Sequence, residues 1–220
     1  QPPTQPPTQP PTQPPTQPTT QPPAINKPKP PVVVPPAAGV KFAKAATSWV
    51  RLTWNPADNI NGYDIYRAAS KSDQYRKIAT VAGASNSFTD TKLASGHNYY
   101  YKIMAYRIEN GKRYSAAFSS PAAAATLPGK VTMKKPKAGK KKATIKWRKR
   151  NDADKYQIYR AVKKNGAYKK VKTTSKKASS WTNKKLKKGK KYYYKVRAVK
   201  YLDGKAYYGA FSKKVVVQSR

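Results

Sequence analysis

Shifted against itself by 93 residues, the chain comes into register without an insertion. GYDIYRA at 62–68 falls on KYQIYRA at 155–161, and FTD at 88–90 falls on WTN at 181–183. LASGHNYYYKIMA at 93–105 falls on LKKGKKYYYKVRA at 186–198. Trp54 meets Trp147, Tyr75 meets Tyr168, Gly111 meets Gly204, Tyr114 meets Tyr207 and Phe118 meets Phe211. A period of this size constrains the fold more than composition can. It reads as two copies of one unit, each the size of a domain, at 36–127 and 128–220.

Within each copy the apolar residues alternate. In VRLTW, Val50, Leu52 and Trp54 share one face of a strand, and Ala143, Ile145 and Trp147 do so in the second copy. Tyr99, Tyr101, Ile103 and Ala105 line one side of a later strand, as do Tyr192, Tyr194, Val196 and Ala198. A period of two is that of strands with one buried face. Turn residues separate the runs, at NPADNING 55–62, KKNG 163–166, ENGK 109–112 and LDGK 202–205. No stretch holds a helical period with caps. The expected fold is all-β: two tandem seven-stranded antiparallel immunoglobulin-like β-sandwiches.

The first 35 residues differ in kind. Sixteen of the 20 prolines lie in residues 1–36, most in a QPPT repeat with Gln and Thr. Such a segment buries too little apolar surface to offset chain entropy, and proline removes the donors that helix and sheet need. The expectation for 1–35 is a disordered, polyproline II-like stalk, reaching roughly 70 Å over its first 23 residues at about 3.1 Å per residue. The repeat has no basic anchor beside a PxxP, so a spacer is favoured over a docking ligand.

LxxGxxYxYxIxA, formed by Leu93, Gly96, Tyr99, Tyr101, Ile103 and Ala105, resembles the signature of fibronectin type III domains. Leu186, Gly189, Tyr192, Tyr194, Val196 and Ala198 repeat it. Tyr99 and Tyr192 match the family's tyrosine corner, whose hydroxyl bonds to backbone upstream, and Trp54 and Trp147 match its core tryptophan. The Lys- and Tyr-rich wording is similar to the bacterial extracellular branch. The resemblance implies a spacer or binding unit of secreted glycosidases or surface adhesins. The fold alone implies no particular role.

Chemistry is sparse. There is no cysteine, which excludes disulfides, thiolate metal sites and cysteine nucleophiles. His97 is the one histidine, and Lys190 stands in its place in the other copy, so it reads as a loop residue. Asp152 and Asp154 are the closest carboxylate pair, flanked by Lys149, Arg150 and Lys155. Calcium would need more oxygens and less positive charge, so they read as solvated turn acids. The glycines are turn residues rather than a phosphate cradle. There is no RGD and no run of eighteen apolar residues. The reading is a non-enzyme with no cofactor, no metal and no membrane span, a monomeric segment of a larger chain.

What remains is surface. Facing away from the core are Tyr66, Tyr100 and Lys102 in the first copy, and Tyr159, Tyr193, Lys195 and Arg197 in the second. Rings alternating with cations suit glycans or polyanions, and they are also ordinary strand chemistry. The net charge is +39, and residues 128–220 hold 33 of the 47 Lys and Arg with three of the eight acids, a net +30. Lys140, Lys141 and Lys142 form one cluster, and Lys187, Lys188 and Lys190 another. Such charge costs stability by self-repulsion, which a polyanion relieves. Each engaged basic residue contributes about 1 kcal/mol near an anionic surface. Lysine outnumbers arginine, which favours charge density over stereochemistry. The expected partner is anionic polysaccharide or cell-wall polymer, in an extracellular bacterial protein, with the second copy as the binding unit. The alternative is an accessory region of a secreted polysaccharide-degrading enzyme, with neutral glycan on the tyrosines. A specific nucleic-acid role is not expected.

Overall fold

The structure is a computed structural model that describes residues 31–220; the segment 1–30, which carries most of the expected stalk, lies outside the described residues. The described part is all strand and loop. The first copy contains β1 (Ala38–Ala45), β2 (Val50–Asn55), β3 (Gly62–Ala68), β4 (Arg76–Ala82), β5 (Ser87–Asp90), β6 (Asn98–Glu109), β7 (Lys112–Ser115) and β8 (Ala122–Ala125). The second contains β9 (Met133–Gly139), β10 (Lys142–Trp147), β11 (Lys155–Ala161), β12 (Lys169–Ser175), β13 (Ser180–Asn183), β14 (Lys191–Leu202), β15 (Lys205–Tyr208) and β16 (Val215–Gln218).

Each copy folds into two antiparallel sheets. One has the order β1-β2-β5; the other has β4-β3-β6-β7, with β8 also on β6. The second copy repeats this as β9-β10-β13 and β12-β11-β14-β15, with β16 on β14. The seven expected strands appear as eight elements because the last strand is broken. The break falls at the Phe-Ser shared by both copies. Ser119 donates its N–H to Ile103 O (2.8 Å), and its Oγ accepts the Ile103 N–H (3.0 Å). Ser212 does the same to Val196, so a side chain stands in for the missing ladder bond. The Asn110–Gly111 and Asp203–Gly204 pairs both have positive φ, the geometry of a tight hairpin turn.

The alternating residues form the two cores. Val50, Leu52, Tyr63, Ile65, Tyr101, Ile103 and Ala105 are fully buried in the first. Ala143, Ile145, Trp147, Tyr156, Ile158, Tyr194, Val196 and Ala198 are fully buried in the second. The core tryptophan meets a tyrosine ring in each, Trp54 with Tyr63 at 5.3 Å and Trp147 with Tyr156 at 5.5 Å. Those tyrosines keep their hydroxyls satisfied by accepting backbone N–H groups of Ala57 and Arg150, both at 2.6 Å. The expected tyrosine corners are present: Ala94 N–H donates to Tyr99 Oη and Lys187 N–H to Tyr192 Oη, each at 3.1 Å.

Candidate functional site

Three surfaces carry the residues picked out from the sequence: the outer face of each five-stranded sheet, the junction between the sandwiches, and the end of the second sandwich away from that junction.

On the outer faces, register sets Tyr66 opposite Lys102 and Tyr159 opposite Lys195. The rings are already engaged. Tyr66 meets Phe118 edge-on at 4.9 Å, and Tyr159 meets Phe211 in the same way at 4.9 Å. Lys102 lies over Tyr75 at 4.5 Å and Lys195 over Tyr168 at 4.4 Å. Arg197 lies 3.9 Å over Tyr208 and donates to Gln157 Oε1 and Tyr159 Oη, both at 2.9 Å. The cations therefore cover rings of their own sheet. Asp64 is buried on the first face and receives Arg113 (2.6 Å), Lys77 (2.9 Å) and Thr80 (2.8 Å). Burial pushes its carboxyl up, but the bonds from Lys77 and Thr80 and the Arg113 charge outweigh this and hold it below the ordinary value. In the second copy Gln157 takes that position, which leaves the face without an acid.

Tyr193 is half-buried on β14, opposite Ala161 and Val216. Tyr100 packs instead in the junction, where Ala125, Leu202 and Tyr207 form a small buried cluster with Phe42, Ala123 and Leu127. Phe42 and Tyr207 meet ring to ring at 5.5 Å, with Lys205 over Phe42 at 4.8 Å.

Asp152 differs from the solvated turn acid expected. It is buried in the junction, accepting from Ser95 Oγ (2.6 Å), the Gly129 N–H (3.0 Å), Arg150 Nε (2.7 Å) and the Arg150 Nη2 (2.6 Å). Burial pushes its carboxyl up, but Arg150, Ser95 and Gly129 together bring it down to about 2. The physical reason is that the loop between β10 and β11 faces the first sandwich rather than water. Asp154 accepts the Tyr201 N–H at 2.8 Å and pairs with Lys200. Gly96 (φ +61) lies against this loop so closely that a Cβ there would stand 2.1 Å from Asp152 O. His97 sits beside it, its Nδ1 2.9 Å from Ser95 O. Nothing in the sequence marked Asp152 or Gly96 as joint residues. The one signal was a carboxylate two residues after Arg150 in the turn between β10 and β11.

The two lysine clusters converge. Lys140, Lys141 and Lys142 at the β9–β10 turn and Lys187, Lys188 and Lys190 in the β13–β14 loop are all exposed. Leu186 N–H donates to Lys141 O (2.9 Å), and Lys141 N–H donates to Arg220 O (2.7 Å). The acids Asp152, Asp154 and Asp203 all lie at the opposite end, in the β10–β11 loop and the β14–β15 turn. Among the described residues no three of His, Asp or Glu gather to hold a metal, and no helix is long and apolar enough to cross a membrane.

Residues 34–120 match the family model of the Fibronectin type III domain. The chain is 32% identical over 108 residues to an amylopullulanase of Thermoanaerobacter thermohydrosulfuricus, covering 48% of this chain and 7% of that protein. It is 34% identical over 79 residues to an amylopullulanase of Thermoanaerobacterium thermosulfurigenes, covering 36% and 4%. The chain thus spans less than a tenth of the length of these curated relatives. A two-domain fibronectin type III segment from chicken tenascin superposes with TM-score 0.51 at 16% identity, over 83% of this chain and 99% of that one. At that identity the likeness concerns the fold. The family model covers the first copy; the second copy repeats its strand order, its broken last strand and its tyrosine corner, and the fold of the chain is that of two tandem fibronectin type III sandwiches.

Proposed function

We propose that the chain, as domains 36–127 and 128–220 behind a stalk at 1–35, is an extracellular, non-catalytic accessory region of a bacterial polysaccharide-degrading enzyme or surface protein. It spaces and attaches. The second domain holds an anionic polymer, cell wall or acidic glycan, by charge density. One observation carries this reading: the second sandwich bears 33 cationic residues against three acids, and the acids are confined to the end facing the first sandwich. The similarity to a small part of two amylopullulanases supports the secreted, accessory setting. Neutral glycan stacked on tyrosines is weaker, because Tyr66 and Tyr159 are packed edge-on to Phe118 and Phe211. Binding to DNA at low salt is expected of any domain with this charge and argues no nucleic-acid role.

The test is retention of the full chain on purified bacterial wall, heparin and cellulose across a salt series. Retention on the two anionic targets, released steeply by salt, is the expected result. Retention on cellulose at high salt would move the site to the tyrosine faces. No retention on any target at physiological salt would leave a spacer alone.

A further inference from the structure

Six lysines of the second domain lie on edge strands. Lys134, Lys135 and Lys137 lie on β9, and Lys169, Lys170 and Lys172 on β12. Both strands are sheet edges, where lysine blocks pairing with another chain. These residues have a structural account. Lys140, Lys141, Lys142, Lys187, Lys188 and Lys190, at the β9–β10 turn and in the β13–β14 loop, lie off the edges, where that account does not reach.

They are held together by backbone rather than by chance proximity of long side chains. Besides the Leu186–Lys141–Arg220 bonds, Gly189 N–H donates to Ser219 O (2.8 Å), Ser219 N–H to Lys190 O (3.1 Å) and Arg220 N–H to Gly139 O (3.2 Å). The tyrosine corner of Tyr192 fixes the loop at Lys187. Turn, loop and last residues thus form one platform.

The first copy shows what this end of the sandwich does when it serves as a joint. There the six positions are Thr47, Ser48, Trp49, Ala94, Ser95 and His97, with no lysine or arginine among them. Ser95 binds Asp152, and Gly96 closes on its carbonyl. In the second copy Gly189 keeps the positive φ, but a Cβ there would meet nothing within 4 Å. Lysine replaces Ser95 and His97, so a further copy of this basic sandwich, arriving with its Lys149 and Arg150, would be repelled. The end keeps the joint's backbone and has exchanged its surface for one that repels its own kind and attracts anions.

The geometry points to this end, the β9–β10 turn with the β13–β14 loop, as the seat of a linear anionic polysaccharide on the second domain. The inference rests on the polyanion reading above and narrows it to one place. The exposed residues of 184–191 are lysines and a glycine, with no ring for a base to stack on and no large apolar side chain to enter a bilayer. Recognition by charge alone suits a sulfated, phosphorylated or carboxylated glycan.

The test uses the full chain and heparin as probe, with affinity measured across salt. One variant replaces Lys140, Lys141, Lys142, Lys187, Lys188 and Lys190 with Gln. A second removes equal charge elsewhere, at Lys163, Lys164, Lys169, Lys170, Lys176 and Lys177. A third changes the first six to Arg, to separate charge from folding. The expected result is a loss of at least about tenfold and a shallower salt slope in the first variant only. Equal loss in the first two variants overturns this site while leaving charge-density binding intact. Loss in the Arg variant overturns it as well. Failure of the unaltered chain to bind heparin at physiological salt overturns the polyanion reading itself. Duplex DNA bound more tightly than heparin, and lost with the first variant, overturns the assignment to polysaccharide.

Discussion

Ser95 of the first sandwich donates a 2.6 Å hydrogen bond to Asp152 of the second, across 57 residues of sequence. With Arg150 and the Gly129 N–H on the same carboxylate, this bond ties the connection between β8 and β9, the tyrosine-corner loop of one domain and the β10–β11 loop of the next into one joint.

Replacing Asp152 by Ala leaves Ser95, Arg150 and the Gly129 N–H without their shared acceptor. We expect a cost of about 2 kcal/mol, falling on the joint rather than on either core. Small-angle scattering then requires a broader range of interdomain angles than the unaltered chain does. An unchanged curve would show that the apolar cluster of Ala125, Leu202 and Tyr207 sets the angle alone.

The same carboxylate makes the joint acid-sensitive only far below neutrality. The Asp152 pKa in the folded chain is about 2, below the ordinary 3.8, so its contribution is complete above about pH 4 and fades as pH falls toward 2. Scattering from pH 8 to 5 is expected to be constant, with loosening below 4. Loosening near pH 6 would implicate another group.

Gly96 and Gly189 are equivalent by the repeat and both have positive φ, yet only Gly96 is crowded. Gly189→Ala should cost about 1 kcal/mol, the strain of a left-handed alanine. Gly96→Ala should cost more and also open the joint, since its Cβ would enter Asp152 O. Equal effects in melting and scattering would refute this view of the junction.

Removing the Tyr192 hydroxyl takes away the acceptor of the Lys187 N–H. Tyr192→Phe is expected to cost about 1 kcal/mol and to speed amide exchange at Lys187. Tyr99→Phe should do the same at Ala94. Unchanged exchange at both amides would mean the corner bond does not hold the loop.

Tyr159→Ala removes the edge-on partner of Phe211 and one acceptor of Arg197. The expectation is a stability loss of about 1–2 kcal/mol with heparin affinity unchanged, read by melting and by the salt series. A large affinity loss without destabilisation would place the ligand on the sheet face.

Much of this protein was legible as text. The 93-residue register and the period of two in VRLTW and YYYKI determined two copies of a sandwich, because alternation leaves a strand one buried face and its partner strands must repeat it. The Asn-Gly and Asp-Gly turns and the tyrosine corner followed from local chemistry that needs only a few adjacent residues. The tertiary structure alone decided where the surfaces meet. Asp152 looks like any loop acid until the β10–β11 loop is set against Ser95 and Gly96. Lys140 to Lys142 and Lys187 to Lys190 stand more than 40 residues apart until Leu186 bonds to Lys141. Tyr100 shares its strand face with Lys102 but ends at the joint, because a neighbouring domain covers that end of the sheet. Periodicity reports which face of a strand is buried; it carries no record of which loops share an end of the sandwich, since that depends on contacts between segments far apart in the chain.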